Sequence, residues 1–217
     1  DEILPVVYSA ADLSGKDACK RELVTVAGLD AEPARPIIGM VGRLTEQKGL
    51  DLVVPAVDAI VEMGFNLVVL GTGQAEYELA LQAATIRHRG RVAAMIRYSN
   101  ELAHLIEAGA DFFLMPSRFE PCGLNQMYSQ LYGTPPVVHA VGGLVDTVTD
   151  TADGGEATGF KFRSYERTAM LDALGRALEV HGDPRALAAL RRAGMRRDFS
   201  WTAPAKEYID LYETVQP

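Results

Sequence analysis

Cysteine is scarce in this chain of 217 residues: only Cys19 and Cys122 occur, far apart and with no nearby His or Cys at metal-ligand spacing. That excludes a disulfide framework and a zinc site, and it fits a reducing cytoplasm. Positive charge is short as well, 21 Lys and Arg against 29 Asp and Glu, giving a formal charge of -8 and a pI near 5.0. Such a balance argues against a sequence-independent grip on nucleic acid or on an anionic membrane, and leaves a neutral or locally captured ligand. No apolar run reaches membrane-spanning length, and the opening Asp1-Glu2-Ile3-Leu4-Pro5 has neither a basic region nor an apolar leader. No Met stands at position 1, so the expectation is a segment of a longer protein. Low-complexity stretches and internal repeats are also missing.

What is present is the make-up of one soluble globular domain, with 48% hydrophobic and 23% charged residues, enough to bury a core of its own. Short apolar runs, each followed by turn residues and an amphipathic stretch, mark βα units around a parallel sheet. Strands are predicted at Pro36 to Val41, Asn66 to Leu70, Val92 to Ile96, Phe112 to Met115, Pro136 to His139 and Gly159 to Phe162. The spacings of Leu50, Val53, Val54, Val57, Ile60 and Val61 predict a helix whose first turn Pro55 weakens. Further helices are expected at Ala75 to Arg87, after the N-cap candidate Ser99, and at Leu124 to Leu131. Glu166 to Val180, Pro184 to Asp198 and Ala203 to Val215 read as a helical tail, with Asp183 and Pro184 as cap and first position; residues 1–35 read as a lead-in loop and helix. Strands that are continuously apolar are covered on both faces, so the fold expected is α/β, a doubly wound parallel sheet.

In such sheets ligands bind beyond the carboxyl ends of the strands. The loop Gly42 to Gly49 brings Arg43 and Lys48 to one place between glycines, either as a polyphosphate site or as two solvated charges. The loop Pro116 to Gln126 runs into a helix, and the glycine before that helix lets backbone N–H groups approach an anion. Glu120 in this loop either faces a sugar and a developing positive charge or is an exposed glutamate before a rigid proline. Gly71-Thr72-Gly73 is discounted as a dinucleotide fingerprint, because Glu76 stands where the third glycine belongs. Arg87, His88, Arg89 and Arg91, like Arg191, Arg192, Arg196 and Arg197, read as solvated basic faces; His104 and His139 read as structural. Tyr98, ending a strand, stacks on a base or packs at a rim.

The segments Gly42 to Leu52, Gly109 to Leu124, Tyr132-Gly133-Thr134 and Gly142 to Val148 resemble the bacterial glycogen synthase and plant starch synthase family. The likeness extends upstream through Tyr8 to Lys16 and downstream through Phe199-Ser200-Trp201 to Tyr208, over essentially the whole chain. It implies a Rossmann-like C-terminal domain of a GT-B glycosyltransferase, with the N-terminal domain absent. The activity implied is transfer of glucose, with retention, from a nucleoside diphosphate glucose to an α-1,4-glucan held through that other domain. The resemblance also makes Arg43 and Lys48 the diphosphate pair, Glu120 the acid beside the donor glucose, and Gly42, Cys122, Gly123, Leu124 and Asn125 part of the phosphate-binding surroundings. Tyr98 becomes the base-stacking aromatic. No cofactor or metal is called for.

Two departures stand out. Asn125 replaces the family's usual Thr, so a hydroxyl bond to phosphate is expected to become an amide bond. Tyr128, eight residues after Glu120, replaces the second acid of other retaining GT-B transferases, which favours the glycogen synthase branch. The rival readings are another retaining GT-B transferase and a non-catalytic nucleotide-binding module; Gly-Arg-Leu-Thr after the first strand disfavours a nicotinamide oxidoreductase.

Overall fold

A computed structural model describes residues 3–32 and 34–215, which leaves Asp1, Glu2 and Pro33 of the predicted lead-in outside the described residues. After α1 (Ser14–Ala27), β1 (Ile37–Val41) leads through a 3-10 turn (Glu46–Lys48) into α2 (Leu50–Val53) and α3 (Val57–Glu62). Then come β2 (Asn66–Leu70), α4 (Ala75–Arg87), β3 (Val92–Met95), α5 (Asn100–Gly109), β4 (Phe112–Met115), α6 (Asn125–Leu131), β5 (Pro136–His139) and α7 (Gly143–Thr147). Finally β6 (Phe160–Phe162) is followed by α8 (Arg167–His181), α9 (Pro184–Met195) and α10 (Thr202–Val215). The strands form a six-stranded sheet in the order β3-β2-β1-β4-β5-β6, every neighbouring pair parallel.

Side chains on a strand alternate between faces, and here both faces are apolar. Ile38, Met40, Leu67, Val69, Phe112 and Leu114 pack on one side with residues of α2, α3, α4, α8 and α9. Ile37, Val68, Leu70, Phe113 and Met115 pack on the other with residues of α1, α5 and α7. That double coverage is why the strands read as unbroken apolar runs. The predicted caps are present: Ser99 accepts from the Leu102 N–H, and Asp183 accepts from the N–H groups of Arg185 and Ala186 with Pro184 in the first turn. The helix foreseen from Leu50 is split into α2 and α3 by a 3-10 turn at Val54–Ala56, since Pro55 has no N–H to donate into the ladder. The short α7 after Gly142 was not foreseen, because five residues carry too little periodicity to detect. Along α10, Tyr208, Ile209, Leu211, Tyr212 and Val215 are exposed. Among the described residues no helix is long and apolar enough to cross a membrane.

The basic clusters are only in part the solvated faces that composition implied: Arg87, Arg89, Arg196 and Arg197 are exposed, whereas Arg91 and Arg191 are half-buried and bonded within the fold. Arg91 donates to the Asn66 side chain at 2.7 Å and to the backbone oxygens of Phe65 at 2.8 Å and Val61 at 3.1 Å, tying the α3–β2 turn to the start of β3. Arg87 and His88 both contact Asp58 of α3. Arg191 of α9 and Lys20 of α1 converge on Asp111, which is buried and also accepts from the Ile37 N–H at 2.9 Å. Burial works to raise the Asp111 pKa, but Lys20, Arg191 and the Ile37 N–H overcome it and hold the carboxyl below the usual range.

Under the same helices the side-chain nitrogen of buried Lys16 donates to the Ala108 carbonyl at 2.7 Å and the Thr134 hydroxyl at 2.6 Å, while Tyr8 donates to the Tyr132 carbonyl at 2.7 Å. The lead-in segment is thereby pinned to α5 and to the α6–β5 turn. Asp111 joins α1, β1 and α9 through charge, so Asp111→Ala leaves two cations without their carboxylate. Urea denaturation is expected to show a loss of about 3–5 kcal/mol, the cost of breaking a buried pair; a loss below ~1 kcal/mol would show that the three elements hold together without it.

Candidate functional site

Chain connections from β1 proceed to one side of the sheet and those from β4 to the other, so β1 and β4 flank the topological switch point where doubly wound sheets leave a crevice. Two loops enter it. The first leaves β1 at Gly42 and closes with the 3-10 turn ending at Lys48 and at Gly49, whose φ is +83°. A Cβ on Gly49 would lie 2.2 Å from the Pro116 carbonyl oxygen, so both the backbone conformation and the close approach of the second loop require glycine. The first loop is also sewn to the β2–α4 turn: Leu44 N donates to Thr72 O at 2.9 Å and Gln74 N to Leu44 O at 2.8 Å.

The second loop, residues 116–124, leaves β4 and carries Glu120, which is 7% exposed. One oxygen of its carboxylate accepts from the Lys48 ammonium and from the Ser117 hydroxyl, the latter at 3.1 Å. The two loops meet again through Arg118 N donating to Gln47 O at 2.9 Å and the Gln47 amide donating to Phe119 O at 3.2 Å. Behind them Gly143 N lies 3.2 Å from the carbonyl oxygens of both Glu120 and Pro121. The pairing of Glu120 with Lys48 is a partnership that spacing along the sequence did not reveal.

A cavity of about 260 Å³ opens between these loops, lined by Gly42, Arg43, Lys48, Glu120, Gly123, Leu124 and Asn125 along with residues ending β1 and β4. A second, of about 330 Å³, adjoins it through Gly42, Arg43 and Asn125 and extends past Gly71, Thr72 and Arg97 to Tyr98, a residue that is 88% exposed. So the residues singled out in the sequence converge on one crevice, with one exception. Cys122 lines neither cavity; its thiol is exposed, and its backbone oxygen would lie 2.3 Å from a Cβ on Gly143, so it packs the loop against the start of α7. The Asn125 amide donates to Val41 O at 2.9 Å, binding the end of β1 to the start of α6.

Gly71, discounted together with its neighbours, lines the second cavity, and a Cβ there would meet the Gly42 oxygen at 1.8 Å, so the position requires glycine. The signal available was glycine directly after a strand, without the fingerprint around it. Thr72 was discounted with Gly71, while Arg97 and Ser117 were missed outright. His139 is buried, with its ring nitrogens 2.8 Å from Ser117 O and 3.3 Å from Arg163 O, so it props up the Glu120 loop from below. Tyr128 lies at the edge of a side groove with His104, Tyr132 and Glu107. Burial pushes the Glu107 carboxyl up to about 8, with nearby Lys16 acting against it. Among the described residues no group of three or more His, Cys, Asp or Glu could hold a metal ion.

This geometry has close counterparts in known proteins. The family model for glycosyl transferases group 1 matches residues 27–193. A glycogen synthase of Anaeromyxobacter sp. is 55% identical over 215 residues, covering 99% of this chain and 45% of the relative, and one of Anaeromyxobacter dehalogenans is 52% identical, covering 100% and 46%. The solved catalytic domain of starch synthase IV from Arabidopsis thaliana, bound to ADP and acarbose, superposes with a TM-score of 0.92 at 33% identity over 99% of this chain and 45% of its own. The chain thus spans about half the length of the relatives it matches. The parallel sheet with helices on both faces matches the Rossmann-like domain of a GT-B glycosyltransferase, as the resemblance of its motifs implied. The chain belongs to the glycosyl transferases group 1 family.

Proposed function

We propose that this chain is the donor-binding half of a retaining glucosyltransferase of the glycogen and starch synthase type, moving glucose from ADP-glucose to an α-1,4-glucan. The observation that carries the reading is the convergence of Arg43, Lys48 and Glu120 on one cavity at the switch point of the sheet. ADP in the related starch synthase structure supports an adenine nucleotide over a uridine one. In this reading the base and ribose occupy the second cavity, with Tyr98 stacking on the base, and the diphosphate crosses from Asn125 towards Arg43 and Lys48. The acceptor glucan and the far side of the donor glucose belong to an N-terminal domain outside this chain. The two free thiols support a reducing cytoplasm as its setting.

Transfer from a nucleoside diphosphate builds negative charge on the leaving diphosphate and positive charge on the sugar. Lys48, on the cavity wall, answers the first charge and Glu120 answers the second. Across the crevice each neutralises the other. An arriving diphosphate competes with Glu120 for Lys48, and every ammonium bond it gains frees part of the carboxylate for the sugar. Binding and activation are thereby linked through one ion pair. Glu120 acts as a stabilising carboxylate rather than a general acid, because the diphosphate leaves with little need of a proton.

Arg43→Ala and Lys48→Ala in the two-domain enzyme each remove a charge-assisted phosphate contact. Each is expected to lower kcat/KM by about one to two decades, corresponding to roughly 1.5–3 kcal/mol, with the melting temperature unchanged. Steady-state kinetics with effects under about threefold for both would remove them from the site. The 217-residue chain alone is expected to bind ADP weakly, since its named contacts all lie here, and to transfer no glucose, since acceptor positioning is missing. Calorimetric titration with ADP and a radiolabelled glucose assay primed with glycogen check the two halves of that statement. Turnover near that of a full-length synthase would show the active site to be complete on this chain.

A further inference from the structure

If Lys48 leaves Glu120 for an incoming diphosphate, the charged link between the two loops weakens when their alignment matters most. The loops then depend on what else joins them. Those are the backbone bond from Arg118 N to Gln47 O and the bond from the Gln47 side-chain amide to Phe119 O. Outside the crevice, on the side away from the cavity, lies a cluster to which nothing so far assigns a role.

Arg118, in the Glu120 loop, reaches back across the first loop and places one guanidinium nitrogen 2.9 Å from Glu46 and 2.9 Å from Asp51. The second Asp51 oxygen accepts from the Tyr165 hydroxyl at 2.6 Å. The Tyr165 ring lies under the guanidinium, 4.8 Å from its carbon, and edge-on to His139 at 5.1 Å. His139 in turn contacts the backbone oxygen of Ser117, whose hydroxyl donates to Glu120. The Arg118 side chain is 53% exposed and Glu46 54%, so either ion pair alone is weak in water. Asp51 is only 25% exposed, however, and it is held from two sides by a planar cation and a phenol stacked upon each other. A fork and a ring in fixed orientation restrict geometry better than a flexible ammonium does.

We propose that Arg118, Asp51 and Tyr165 form a positioning clamp that keeps the Lys48 and Glu120 loops in register while Lys48 changes partners during the transfer reaction. The proposal rests on the reading of the crevice as the donor site. None of the three side chains lines either cavity, so the clamp acts through the loops rather than by touching the donor. Losing it leaves the diphosphate contacts present but imprecisely set against the sugar. Imprecise alignment is felt in the transition state more than in the bound ground state.

The test has two arms. In the two-domain enzyme, Arg118→Ala and Asp51→Asn are each expected to lower kcat by about tenfold with donor KM within about twofold and melting unchanged, and Tyr165→Phe by about threefold. The double variant Arg118→Ala with Asp51→Asn should be no worse than either single one, as for two halves of one device. Wild-type kcat in all three variants, additive losses, or a raised KM at constant kcat, which would make Arg118 a direct donor contact, each overturns the clamp. If Arg118→Ala fails to fold, Tyr165→Phe, which deletes a single hydrogen bond and keeps the ring, carries the test. The second arm needs no turnover. Hydrogen exchange at the Arg118 amide should speed up by about tenfold in Asp51→Asn and in Tyr165→Phe, while the amides of β1 and β4 are unchanged. Unchanged exchange at Arg118 sinks the clamp even if glucose transfer is observed. Faster exchange in a protein whose wild type transfers nothing sinks the donor-site reading and leaves the loop linkage standing.

Discussion

The ion pair between Lys48 and Glu120 joins two loops that lie 72 residues apart in sequence, and it can form only because β1 and β4 are neighbours across the switch point of the sheet. Several otherwise unrelated features serve that meeting. Gly49 lets the first loop touch Pro116, and Gly71 lets the β2–α4 turn press against Gly42. Asn125 binds β1 to α6, and His139 supports the strand end from which the second loop departs. Each is a close backbone approach or a single hydrogen bond. Together they hold an acid and two cations around one cavity at a spacing no single element could fix.

Beneath the crevice, charge does a different task. Asp111 is buried, with Lys20 and Arg191 half-buried against it, at the opposite ends of β1 and β4 from the loops, where Asp111 meets the Ile37 N–H at the start of β1. The same two strands are therefore anchored by ion pairs at both ends. The pairs below hold the helices of the lead-in and tail against the sheet, and the pair above borders the cavity between the two loops.

The fold was largely legible from the sequence because its signals are local. Strands such as Asn66–Leu70 and Phe112–Met115 and the helix Ala75–Arg87 fall where apolar runs and helical spacing put them, and Ser99 and Asp183 cap as their chemistry directs. What was not legible depends on contacts distant in sequence. Arg91 and Arg191 look like surface charges until the partners that bury them, Asn66 and Asp111, are brought near by the fold. The crevice shows the same division. Gly42, Arg43, Lys48 and Glu120 were identifiable from their loops and their family pattern, whereas their mutual pairing, the participation of Thr72 and Arg97, and the bracing by Tyr165 arise only where separate βα units meet. Asn125 illustrates the limit within one residue: its position at the site was readable, while its bond to Val41 was not.

A crystal structure of this chain with ADP bound tests the central claim most directly. The account predicts the diphosphate in the cavity between the two loops, within hydrogen-bonding distance of Arg43 and Lys48, with the Lys48 ammonium drawn away from Glu120 and the Arg118 amide still bonded to Gln47. A diphosphate bound elsewhere on the chain, or one in the crevice that leaves Lys48 paired solely with Glu120, would contradict it.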